Sequence, residues 1–178
     1  MNRPYIIAID AIAGGGKSTL SGAVNAALSS SARYCFDDYD EPDIHPTDFY
    51  DWWQRGADIA AFDCPTLYQM VSRHIEKKDV GYLVLDMPFG RQHGRFLHLI
   101  DLSVFIDTPL DIALARRILR DHDDLTSVRH EMKEYLSKVR ALYTDHFQMS
   151  KTCDLVLDGT WPVESRKDTV LKHIKHAG

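Results

Sequence analysis

Cysteine is scarce in this chain: Cys35, Cys64 and Cys153 are three in number and far apart. An odd, scattered set excludes a complete disulfide framework and offers no zinc spacing, so a reduced, cytoplasmic setting is expected. Long apolar runs are missing too, and none approaches the roughly 18 residues of a membrane span. There is no basic surplus, since the formal net charge is −5. That balance argues against a general binder of nucleic acid or of a membrane surface. An apolar strand pattern starts within a few residues of Met1, so no signal peptide is expected. Repeats, low-complexity segments and linkers are absent, and the nine histidines are too dispersed to be assigned to a metal. What remains is an ordinary globular composition, 44% hydrophobic and 26% charged over 178 residues. It fits a single domain, 1–178, large enough to bury a real core.

The most informative stretch is Tyr-Ile-Ile-Ala-Ile-Asp-Ala-Ile-Ala-Gly-Gly-Gly-Lys-Ser-Thr-Leu, residues 5–20. An apolar strand runs into a glycine-rich turn, and Lys-Ser-Thr opens a helix. Such a turn points successive backbone N–H groups into one concavity, and the helix start adds its positive dipole end. Ala13, Gly14, Gly15, Gly16, Lys17, Ser18 and Thr19 form the expected nucleotide cradle. Lys17 would lie against the β- and γ-phosphates, and Ser18 would ligate Mg²⁺. The Walker A pattern G-x-x-x-x-G-K-[ST] wants glycine where this chain has Ala11. Alanine is acceptable there if its φ is negative.

Strands and helices alternate, as in a parallel α/β sheet. The expected strands are 4–9, 33–36, 82–85, 102–106 and 155–157, giving a three-layer α/β/α fold around a five-stranded parallel sheet. Helices are expected over 18–30, 66–77, 109–121, 128–149 and 163–175. Ile112, Leu114, Ala115, Ile118 and Leu119 would form one apolar face. Met132, Tyr135, Leu136, Val139, Leu142, Tyr143 and Phe147 would form another, read as core. After the first strand, the other four run into aspartate: Asp37-Asp38, Asp86, Asp107 and Asp158. Ligands of open α/β sheets bind at that carboxyl edge. The irregular segment 40–61 reads as an acceptor-side insertion. Its Phe49, Tyr50, Trp52 and Trp53 either line a pocket or cap the core.

Phosphoryl transfer needs a cradle, Mg²⁺, an orienting carboxylate and cations for the transferred charge. Asp37 is the leading candidate base; its alternative is a turn aspartate. Asp86 would be the acidic partner of Mg²⁺ or its waters, or else a cap. Arg116 and Arg120 share a helix face one turn apart, while Arg117 points elsewhere. The three read as a lid over 116–126 or as a solvated face.

On these residues the chain resembles the uridine kinase and nicotinamide riboside kinase group of P-loop kinases. The resemblance covers nearly the whole length. It rests on residues 9–19, Phe-Asp-Asp-Tyr (36–39), Phe-Asp-Cys-Pro (62–65), Leu-Asp (85–86), Arg-Arg-Ile-Leu-Arg-Asp (116–121) and Leu-Val-Leu-Asp-Gly-Thr (155–160). It implies ATP and Mg²⁺ as cofactors, with transfer of the γ-phosphoryl group to a hydroxyl of a nucleoside- or riboside-like molecule by a monomer or homodimer. Asp37 matches the base, which also touches Mg²⁺, and Asp63 the residue that holds the acceptor's ribose diol. Arg116 and Arg120 match lid arginines on ATP, and Arg117 one nearer the acceptor. Asp158, Gly159 and Thr160 resemble the segment beside the adenine. Read without the resemblance, Asp63 is an N-cap before Pro65.

The chain departs from that group in three places. The segment 122–126 is short and acidic where a longer arginine- and glycine-rich lid stands in uridine kinases. Asp86-Met87 replaces Glu-Gly, and the basic loop 90–95 has no match. Two other readings stay open: a nucleoside monophosphate kinase, with Arg91 and Arg95 holding an acceptor phosphate, and a non-catalytic nucleotide-binding regulator.

Overall fold

The computed structural model of the chain describes residues 3–39 and 45–177. Five strands, β1 (Tyr5–Asp10), β2 (Ser31–Cys35), β3 (Tyr82–Asp86), β4 (Leu102–Asp107) and β5 (Leu155–Asp158), form one sheet. Every pairing is parallel and the order is β2-β3-β1-β4-β5. β1 is therefore central, and its carboxyl end meets the crevice where the strand order reverses.

Side chains alternate across β1, so the sheet builds two cores. Ile6 and Ala8 join Leu83, Leu85, Leu67 and Val71 on one face, against α3 (Pro65–Lys77). Ile7 and Ile9 join Leu20, Val24, Val104, Ile106, Val170 and Ile174 on the other. There α1 (Lys17–Ala27) and α7 (Val163–Ala177) cover the sheet. No described helix is long and apolar enough to cross a membrane.

Several expected elements shift. The second strand ends at Cys35, and Asp37 and Asp38 sit in a 3-10 turn, Phe36–Tyr39, just beyond it. In α4 (Leu110–Asp121) the apolar face is weaker than its spacing suggests: Ala113 alone is buried, and Leu119 is 83% exposed. The long helix is three pieces, α5 (Leu125–Glu134), a π-turn over Tyr135–Val139 and α6 (Arg140–His146). The π-turn adds a residue to one turn and so rotates the face that α6 presents. Tyr135 is buried while Leu136 is 71% exposed, so Leu136 is not core. The insertion carries α2 (Phe49–Gln54), capped by the Asp48 carboxylate accepting from the Tyr50 and Asp51 amides. Residues 40–44 of that insertion lie outside the described residues.

Cys35, Cys64 and Cys153 form no disulfide. Burial and nearby Asp86 push the Cys35 thiol up to about 11, which leaves it inert as a nucleophile at neutral pH. His93 is buried with neither ring nitrogen hydrogen-bonded. It packs edge-on to Phe36 and Phe96 at 5.9 and 5.2 Å. Burial pushes it below its ordinary 6.5. The unfolded chain therefore binds this proton first, and stability falls as pH drops through about 6.5. The His93→Phe variant should lose less melting temperature than the parent between about pH 7.5 and 5.5. Parallel melting profiles would contradict this.

Candidate active site

The phosphate loop is shaped by close packing. Gly14 has φ +80°, and a Cβ there would lie 2.2 Å from the Ala113 carbonyl oxygen of α4. Only glycine satisfies both the backbone angle and that approach. Ala11 is buried and does not have positive φ, so its methyl is tolerated. That methyl lies 2.7 Å from where a Cβ on Gly15 would stand, so the loop closes against it. The Gly15 amide donates to the Ile12 carbonyl at 2.9 Å, which turns the chain into α1.

Two cavities open on this loop. The first, about 420 Å³, is walled by Ala13, Gly14, Gly16, Lys17, Ser18 and Thr19 together with Asp37, Arg116, Arg120 and Arg166. Four cations face one carboxylate, the electrostatics of a polyanion site. The second, about 580 Å³, includes Ile12, Ala13 and Lys17 in its lining. Phe49, Tyr50, Trp52, Phe62 and Phe89 line it, together with Val139, Leu142, Tyr143 and His146. Lys17 belongs to both. Asp37 also borders a smaller cavity of about 200 Å³, which shares Phe49, Phe62 and Pro88 with the aromatic one.

The aromatic segment thus lines a cavity through Phe49, Tyr50 and Trp52. Trp53 turns away, its indole N–H donating to Asp145 at 2.6 Å. The inward stripe of the long helix is partly cavity wall as well, since Val139, Leu142 and Tyr143 face that space.

Most of the other predicted residues already have partners within the chain. Arg117 lines the aromatic cavity but is tied down, donating to the Tyr143 hydroxyl at 2.8 Å and pairing with Glu131. Arg116 donates to the Gly159 carbonyl at 3.4 Å. Arg120 pairs with its neighbour Asp121 at 2.6 Å. Asp158 is exposed and accepts from the Thr160 amide and hydroxyl, which holds it below the usual carboxylate range. Gly159 packs against Thr108, whose hydroxyl donates to the Gly15 carbonyl at 2.9 Å. The Asp-Gly-Thr segment therefore sits beside the phosphate loop.

Asp86 is buried, with Oδ2 accepting from Arg33 at 2.8 Å and from Ser21 at 3.3 Å while Oδ1 has no partner. It does not wall either cavity. Asp63 also lies off the cavity walls, gripped at both oxygens by Arg95, which lowers its pKa. The loop arginine Arg91 is spent on Asp154 and on the Ile100 and Asp101 carbonyls. Among the described residues no three His, Cys, Asp or Glu side chains are grouped to hold a metal.

Sequence reasoning missed two residues. Asp10, the buried last residue of β1, accepts from the Phe89 amide and pairs with His146, both at 3.1 Å. It thus links the central strand to α6. It could have been found as a fifth strand-end aspartate. Arg166 had no sequence signal, being one arginine in an ordinary helix.

No family model matches the chain. It is 24% identical over 209 aligned residues to a protein named uridine kinase from Clostridium botulinum, covering 99% of this chain and 98% of that one. A shikimate kinase from Aquifex aeolicus superposes with a TM-score of 0.52 at 14% identity, covering 97% of each chain. A sugar kinase from Janibacter superposes with a TM-score of 0.57 at 16% identity, covering 97% and 95%. At that identity the two structures bear on fold alone.

Proposed function

We propose that the chain, a uridine kinase-like small-molecule kinase of the P-loop fold, transfers the γ-phosphoryl group of ATP to a hydroxyl of a nucleoside- or riboside-like acceptor. One observation carries this reading: Lys17 is shared by a cation-rich cavity and an aromatic one. The first suits a triphosphate; the second suits a flat heterocycle, since rings stack on bases. A phosphoryl group held at Lys17 would sit at their junction.

In this mechanism the loop amides and the start of α1 hold the polyphosphate while Lys17 balances charge on the transferred group. Asp37 accepts the proton of the attacking hydroxyl. Ser18 and Asp37 line the same cavity and offer hard oxygens, which suits Mg²⁺ arriving with the nucleotide and keeping most of its waters. Such a cation, when bound, neutralises phosphate charge. Asp86 braces α1 through Arg33 and Ser21. For Asp63 to grip an acceptor diol, the Arg95 fork must open. Arg116 and Arg120 close the donor side as a lid, and residues 158–160 flank the nucleotide base.

The monophosphate kinase reading is weakened by where the cations went. Arg91 and Arg95 are consumed by Asp154 and Asp63. Besides Lys17, the Lys and Arg side chains lining the aromatic cavity, Arg117 and Lys138, already face Glu131 and Glu134. A hydroxyl acceptor needs no spare cation. Nucleosides should therefore be phosphorylated with ATP·Mg²⁺ in an ADP-release assay, and their monophosphates should be poor acceptors. Activity with monophosphates alone would reverse the assignment. The Phe49→Ala variant should raise acceptor KM by about 10-fold or more by removing one stacking face. Its melting temperature should barely move, since Phe49 is 46% exposed. An unchanged KM would remove Phe49 from the acceptor site.

A further inference from the structure

One cation of the donor cavity is not used by the proposed transfer. Arg166 stands in the first turn of α7, its amide donating to the Pro162 carbonyl at 3.2 Å. Only 5% of its surface is exposed, and neither Nε nor Nη1 has a hydrogen-bond partner among the described residues. The guanidinium faces the phosphate loop: a Cβ built on Gly16 would lie 3.2 Å from Nη1 and 3.9 Å from Nη2. Its neighbour Arg116 repels it. Asp158 attracts it, but that carboxylate is already engaged by Thr160.

Arginine cannot shed its proton in a protein, and a buried charge without a partner is strongly unfavourable. No partner stands among the described residues, and the cavity that Arg166 walls leaves room for an anion from outside the chain. Arg166 walls the donor cavity but not the acceptor cavity, whereas Lys17 walls both. The anion it meets is thus the part of the donor remote from the transferred group.

We propose that Arg166 is a donor-binding residue that clamps the non-bridging oxygens of the polyphosphate on its nucleoside side. The inference rests on the donor reading given above. A guanidinium fork suits this task because it bonds two phosphate oxygens at once. The contact is made equally before and during transfer, so it sets nucleotide affinity and leaves kcat alone.

The test uses the Arg166→Met and Arg166→Lys variants of the full chain. ADP and inorganic tripolyphosphate are titrated by calorimetry, and ligand-free melting is recorded. Arg166→Met should weaken both ligands by about 10- to 100-fold. The ligand-free variant should melt at or above the parent's temperature, because an unpaired buried charge has gone. Arg166→Lys should keep part of the affinity as a point charge. Unchanged affinities would overturn the proposal. So would a loss for ADP alone, which would place the contact on ribose or base. Loss of affinity together with a lower ligand-free melting temperature would mark Arg166 as structural. If the parent protein bound neither polyphosphate, the donor reading itself would fall.

Discussion

The Asp37→Asn variant should lose about 10²–10⁴-fold in kcat, the usual worth of a positioned general base. Its ATP affinity should stay within about threefold, since the loop amides and Lys17 carry the phosphates. Asp37 is exposed, so melting should barely change. These outcomes separate a base from a fold-supporting aspartate. The placement of Asp37 favours the base: it stands in a turn just past β2, on the wall of the donor cavity and beside the aromatic one. A steady-state comparison with saturating ATP decides it, and parental kcat in Asp37→Asn would end the proposed mechanism.

The Gly159→Ala variant should be strongly destabilising. The added Cβ would stand 1.8 Å from the Thr108 hydroxyl oxygen and 2.7 Å from the Thr108 Cα. A side-chain rotation relieves the first overlap but not the second, because Cα moves only with the backbone. Overpacking of this kind costs about 3 kcal/mol, and for a domain of this size that lowers Tm by about 6–12 °C. Thr108 also holds the Gly15 carbonyl, so the strain reaches the phosphate loop. Nucleotide affinity should fall along with stability. A variant melting within about 2 °C of the parent would show that the β5 turn yields freely.

Much of this was legible in the sequence because it depends on short-range chemistry. The strand, glycine turn and Lys-Ser-Thr of residues 5–20 specify the phosphate loop locally, and the alternating elements specify the parallel sheet. What escaped depends on tertiary partners. The spacing of Leu119 and Leu136 is that of a core face, yet both are exposed, because helix periodicity does not say what covers a face. The π-turn at Tyr135–Val139 has no residue signature. Asp63 reads as a cap or a diol ligand until Arg95, 32 residues away, is seen to hold it. Strand-end aspartates promise convergence, but Asp86 turns to Arg33 and Asp158 to Thr160. Arg166 gains its meaning only from burial, which no single residue announces.

The shared position of Lys17 has a cost for the cell. In the proposed mechanism a room of about 580 Å³ beside the transferred phosphoryl group admits solvent whenever the acceptor is away. Under that mechanism water is then a rival nucleophile, with Asp37 bordering the adjoining cavities. Wasteful hydrolysis is restrained only by how poorly a small molecule is oriented among rings built to grip a large one, so leakage should drop once acceptor fills the space.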